Sequence, residues 1–313
     1  MGQVGSRVAG GAKVVHLIVG ASGVLGSRLA VRLLDAGERV RVVSRDPERV
    51  SDLVARGAEV SRGDLLDQAW FATALHDVGR VVIASHGLVP PSRRNTPAAV
   101  DGTGARGLID AAAAAGVQQV VYVSAAGAAH ERTVFGRVKR ASERHLEASG
   151  VPWTVVRPSV FPENHALVFM GEPLRAGKAV PFFGRGTEKL NWVSASDVAD
   201  DIVRVLQDAT TLGTVRELRG IDHRSRSEVL GILERELGVR AKRQHLPVPV
   251  VKVARSVTRS VHPGVAALLD MAIDEIDRGG DPADEAERAT VVGTTTVEDV
   301  VRAWVAEGRA TAT

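Results

Sequence analysis

The sequence predicts an α/β fold in which a doubly wound parallel sheet carries a smaller C-terminal subdomain. Three observations point there. From Lys13 to about Arg157, short β-branched runs alternate with stretches of helical spacing, the pattern of parallel strands covered by helices. Runs such as Val81-Val82-Ile83 are apolar without alternation, so their strands are buried on both faces. A turn with three glycines, Gly20, Gly23 and Gly26, closes the first apolar run and opens the first helical stretch.

Strands are expected at 13–19, 39–44, 58–64, 80–85, 119–124 and 153–157. Between the first two, Leu25, Leu29, Leu33 and Leu34 recur at helical spacing, and Gly37 follows the last turn as a C-cap. Further helices are expected at about 96–115, ending in alanines before Gly116, and at 133–148 before Gly150. After Pro158 the chain is rich in Gly, Pro and Phe, and 158–192 reads as loops and short elements above the sheet. Ser194 and Asp197 are spaced like a capping box at the start of a helix over 194–206. Helices at 225–238, about 264–277 and 296–308 follow, with 279–289 as a linker. The expected organisation is a flexible leader at 1–12, the sheet domain at 13–157, and a second subdomain mainly at 158–313, interleaved with the first.

Composition excludes several function classes. The 40 Lys and Arg against 37 Asp and Glu leave a formal +3, scattered along the chain, which argues against a nucleic-acid partner. The chain has no cysteine, which removes disulfides, thiolate metal sites and cysteine nucleophiles and suits a reducing, cytoplasmic location. No run reaches the roughly 18 apolar residues of a membrane span. Arg7 and Lys13 before VVHLIVG resemble a signal peptide, but the glycine turn within the apolar region argues against one. Neither HExxH nor G-x-S-x-G is present, so no metal site and no hydrolase is expected.

The turn itself, Gly20-Ala21-Ser22-Gly23-Val24-Leu25-Gly26, carries the sharpest chemistry. Glycines let a backbone approach a pyrophosphate, and free N–H groups at the following helix N-terminus meet its charge. The alternative is a tight turn that only packs helix on sheet. The second strand ends Val43-Ser44-Arg45, with Arg49 one helical turn on. A hydroxyl and a planar guanidinium there suit a ribose 2′-phosphate, so NADP(H) is expected over NAD(H). A solvated surface arginine is the alternative reading, and Asp46 keeps NAD(H) open.

GASGVLG, the Gly-Asp-Leu at 63–65, the stretch at 100–128 and SGVPWTVVRPSVFPEN at 149–164 together resemble the NmrA-like, atypical branch of the short-chain dehydrogenase/reductase superfamily, a Rossmann fold, over about 14–240. The resemblance places Asp64 and Leu65 beside the adenine, Ala84 and Ser85 beside a ribose, and Pro158, Val160 and Phe161 beside the nicotinamide. Those positions also fall at C-terminal strand ends, where open α/β sheets bind ligands.

In the wider superfamily, a serine ending the fifth strand, a tyrosine, and a lysine four residues after it form the catalytic group. By that resemblance Ser124 and Lys139 are the catalytic candidates, and Phe135 stands in the tyrosine's slot. Positions 135 and 139 share a helical face. Lys139 is then expected to clamp the nicotinamide ribose and stabilise negative charge, with a bland surface charge as the alternative. His86, Asn164 and His165 follow strand ends and are candidates for contact with the substrate, as is His130 more loosely, although a loop histidine is often just solvated. Tyr122 shares a strand face with Ser124 but reads as core. Phe161, Phe169, Met170, Phe182 and Phe183 line an apolar pocket or build the second core.

The expected function is an NADPH-dependent oxidoreductase reducing a small, largely apolar acceptor, a quinone or an activated carbonyl. Two rivals stay open: a non-catalytic NADP(H)-sensing protein with a protein partner, as the NmrA resemblance implies, and a nucleotide-sugar epimerase or dehydratase, which the missing tyrosine disfavours. A homo-oligomer is compatible with each.

Overall fold

Burial on both faces selects strands first in the computed structural model, which describes residues 14–282 and 289–310. The expected leader 1–12, the strand start at Lys13 and residues 283–288 of the expected linker lie outside the described residues. In chain order the first half forms β1 (Val15–Val19), α1 (Val24–Asp35), β2 (Arg39–Ser44), α2 (Ser51–Ala55), β3 (Glu59–Arg62), α3 (Phe71–Ala74), β4 (Val78–Ile83), α4 (Ala105–Ala114), β5 (Gln119–Val123), α5 (Val134–Ala148) and β6 (Trp153–Pro158). The second half forms α6 (Glu172–Arg175), β7 (Val180–Phe183), β8 (Lys189–Trp192), α7 (Ala195–Gln207), β9 (Thr214–Arg219), β10 (Asp222–Ser225), α8 (Arg226–Leu237) and β11 (Arg243–Leu246). It closes with α9 (Val248–Val261), α10 (Pro263–Arg278), β12 (Val291–Val292) and α11 (Val297–Ala310).

Eight parallel strands make the main sheet, in the order β12-β9-β6-β5-β4-β1-β2-β3. The chain runs outward from β1 in one direction and from β4 in the other. That reversal opens a crevice above the C-terminal ends of β1 and β4. Leu29 and Leu33 of α1 pack one face together with Val198 and Ile202 of α7, and Phe71, Leu108, Ile109 and Leu146 pack the other. A third cluster, with Leu167, Met170, Phe182, Trp192, Leu233 and Val301, belongs wholly to the chain after Pro158. Leu108 is fully buried, so truncation to alanine costs about 2–5 kcal/mol.

The expected six strands are all present, and β9 and β12 extend the sheet beyond them. Strand β9 was not expected because TVRELR lies toward the sheet edge and is only half buried over its first four residues. Helix α9 was missed for a different reason: its many valines favour a strand by propensity, and packing overrides them. The spacing of Ser194 and Asp197 does not yield a capping box. Ser194 Oγ accepts from Ser196 N, whereas Asp197 turns away to accept from Thr295 N and Oγ1, both at 2.9 Å. The reciprocal box forms on α8 between Ser225 and Glu228. Within 158–192, Glu163–Gly171 winds into wide helical turns. Among the described residues no helix is long and apolar enough to cross a membrane.

Candidate active site

The turn after β1 is pressed against the turn after β4. Gly20 adopts φ +96°, and a Cβ there would lie 2.7 Å from Ser85 N and 2.8 Å from the Ala84 carbonyl carbon. Gly26 serves packing instead: its Cβ would meet Gly20 O at 2.3 Å, so only glycine lets α1 start this close. Helix α1 begins with no side-chain cap and no acidic residue in its first turn, which leaves its leading N–H groups for an anion.

A cavity of about 810 Å³ starts at this turn and runs along the strand ends. Arg45, Arg49, Asp64 and Leu65 border one end, and Ser22, Gly23, Val24, Leu25, Ala84, Ser85 and His86 the middle. Ser124, Phe135, Lys139, Pro158, Val160, Phe161, Asn164 and His165 border the other. Of the expected binding residues, Ala21 and Gly26 alone stay off its wall; Ala21 is fully buried beneath the turn. Ser44 reaches the wall, but its hydroxyl is committed to its own turn, donating to Asp46 O at 2.6 Å. Arg45 and Arg49 stand exposed, with no ion-pair partner among the described residues. Ser85 Oγ is buried at the cavity without a hydrogen-bond partner. Bare helix N-terminus, orphaned hydroxyl and exposed guanidiniums all suit a phosphorylated dinucleotide.

The chain belongs to the NAD(P)H-binding family. Its family model matches residues 20–209. The NAD(P)H azoreductase of Xenophilus azovorans is 30% identical over 191 residues, 61% of this chain and 62% of that protein's length, so the chain spans less than two thirds of it. Quinone oxidoreductase 2 of Escherichia coli (strain K12) is 26% identical over 73% of this chain and 77% of that one. A photosystem II assembly factor of Guillardia theta is 26% identical over 77% of this chain and 76% of its own length. The structure of the Escherichia coli NADPH-dependent quinone oxidoreductase complexed with NADPH superposes with a TM-score of 0.71 at 24% identity, covering 92% of this chain and 99% of that one. The fold is the Rossmann fold that these structures share.

The end of the cavity beside α5 carries a network the sequence did not reveal. Lys139, 1% exposed, donates to Val123 O at 2.8 Å and pairs with Asp101 Oδ1 at 2.7 Å. Burial opposes its charge, but Asp101 outweighs that and holds the ammonium above the ordinary lysine range. The ammonium lies 4.8 Å over the Tyr122 ring and 5.5 Å from that of Phe135. Two of its three N–H donors are therefore spent inside the protein. Ser124 is also engaged: its hydroxyl donates to Glu143 Oε1 at 2.5 Å, and Arg157 holds Glu143 at 2.6 Å. Burial raises the Glu143 carboxyl, but the bonds from Arg157 and Ser124 prevail and hold it below the usual carboxylate range. Tyr122 is core, off the cavity, with burial pushing its phenol up to about 12.

Phe135 is both wall and packing, buried against Leu88 and Ala267. Phe169, Met170 and Phe183 border the cavity, whereas Phe182 lies beneath, in the third core cluster. His130 is exposed at the rim. His165 is held neutral, its value lowered to about 3 by burial, then by Arg226 and His86. Asp101 and Glu143 were missed, as were Arg226 and Met271, which α8 and α10 bring to the wall. One signal existed: Phe135, Lys139, Ser142, Glu143 and Leu146 share the inward face of α5, an unusual place for three polar residues. Among the described residues no cluster of three or more His, Asp or Glu could hold a metal ion.

Proposed function

We propose that the protein is an NADPH-dependent oxidoreductase that reduces a small, largely apolar acceptor, a quinone or an activated carbonyl. The carrying observation is one continuous cavity that joins the bare N-terminus of α1 to an apolar wall of Phe135, Phe161 and Met271. The bound dinucleotide would supply hydride from its nicotinamide. Leading N–H groups of α1 would meet the pyrophosphate, and Arg45 with Arg49 the 2′-phosphate. Asp64 and Leu65 would flank the adenine, Ala84 and Ser85 a ribose, and Pro158 and Val160 the nicotinamide. Lys139 keeps one donor for the nicotinamide ribose. The division of labour gives the cofactor to 13–157 and the acceptor mainly to the chain after Pro158, although β9, β12 and α7 return to the sheet.

Phe135 offers no proton, a loss of about 10² to 10⁴ in rate where a positioned acid is needed. That favours acceptors whose reduced form is a stabilised anion, as with a quinone. The azoreductase and quinone oxidoreductase relatives support the reading. Incubation with NADPH and a quinone panel should give quinone-dependent NADPH oxidation above background. A folded sample that binds NADPH and oxidises none with any acceptor overturns it.

That outcome would favour the second reading, a non-catalytic NADP(H)-sensing protein with a protein partner. Phe135 and the engaged hydroxyl of Ser124 favour it, and the assembly-factor relative is compatible with it. Epimerisation would require a base where Phe135 stands.

A further inference from the structure

Resting on the oxidoreductase reading, we propose that His86 replaces the missing phenol: its Nε2–H, as a neutral donor, hydrogen-bonds the acceptor atom that gains negative charge during hydride transfer. His86 follows β4 and borders the cavity. Its Nδ1 accepts from Leu88 N at 3.2 Å and from Val89 N at 3.4 Å. A nitrogen that accepts carries no proton, so the ring proton sits on Nε2. Among the described residues Nε2 has no partner of its own.

The loop that carries this ring is anchored. Gly87 N donates to Asp101 Oδ2 at 2.9 Å, and the other oxygen of Asp101 holds Lys139. Lys139 reaches on to the carbonyl that ends β5. The family position of the lysine thus acts through Asp101 as a positioning group for the histidine loop. The charged and titratable groups near the imidazole are Asp101 before α4, Lys139 on α5 and His165 on the wide-turned segment. Burial is the largest influence and lowers its value; Asp101 pulls it up and Lys139 pushes it down again. Neutral imidazole is therefore the working form near pH 7.

A neutral imidazole does not surrender its proton, because that would leave an imidazolate. A bound dihydronicotinamide would supply hydride, with its two electrons, to the acceptor, whose π bond would become a lone pair. The Nε2–H steadies that anion, water protonates it, and the histidine is unchanged. The acceptor class follows: quinones, whose reduced monoanion is a weak base, and not simple ketones, whose alkoxide demands a proton at once.

Steady-state kinetics with NADPH and 1,4-naphthoquinone, beside NADPH titration calorimetry on the same samples, tests this. His86→Phe should lower kcat about 10² to 10³-fold, the loss typical of one removed oxyanion donor. NADPH affinity should stay within about twofold, and His86→Gln, which keeps an N–H donor, should recover at least about tenfold over His86→Phe. Wild-type kcat should be flat between pH 7 and 8, since burial already lowers the group from its ordinary value. Equal loss in both variants, unchanged turnover in His86→Phe, or a wild-type rate falling as pH rises through that range overturns the assignment of His86 alone. Absence of wild-type turnover overturns the oxidoreductase reading as well.

Discussion

The two ends of the cavity are built on opposite plans. Around the glycine turn, α1 begins without a side-chain cap, and the exposed Arg45 and Arg49 nearby have no ion-pair partner among the described residues. Around Lys139, side chains from separate segments satisfy one another: Asp101 with Lys139, Ser124 with Glu143, Glu143 with Arg157. The first end presents groups that suit an anionic ligand. The second is a frame in which Ser124 and Lys139 are bound to the protein itself, and half-buried His86 borders the cavity beside it.

The sharpest way to break this comparison is to cut the frame. Asp101→Ala leaves Lys139 buried and uncompensated and should cost about 3–5 kcal/mol in urea unfolding; a cost near zero would mean that the chemical end is not internally held. Next, Gly20→Ala forces a side chain into a left-handed backbone and against Ser85. It should cost about 1–3 kcal/mol and weaken NADPH binding in calorimetry by about tenfold or more, while Gly20 placed as a mere packing turn would leave affinity intact in the folded fraction. The third test removes the arginines beside that turn. Replacing Arg45 and Arg49 with alanine should weaken NADPH by about 1.5–3 kcal/mol, or about 10- to 100-fold, and leave NADH unchanged. Equal loss for both coenzymes removes the basis for NADP(H) preference.

The core strands through β6 and the helices α1, α5 and α7 were readable because their signals are local: continuous apolar runs, leucines at helical spacing, a glycine where φ is positive. Strands β9 and β12 carry weaker signals, since sheet-edge positions are half buried and tolerate polar side chains. Asp197 shows the limit at a single residue, where a contact with Thr295 displaced a local cap that spacing alone had suggested.

By itself the sequence determined a Rossmann sheet, the place of its glycine turn, and a phenylalanine four positions before Lys139 on α5. Those follow from neighbours along the chain, whose spacing dictates geometry directly. Only tertiary structure decided that Lys139 answers to Asp101, that Ser124 answers to Glu143, and that His86 borders the cavity. The first two are pairings across 38 and 19 positions, and a buried charge takes whichever partner the packed fold brings within reach, at whatever distance along the chain.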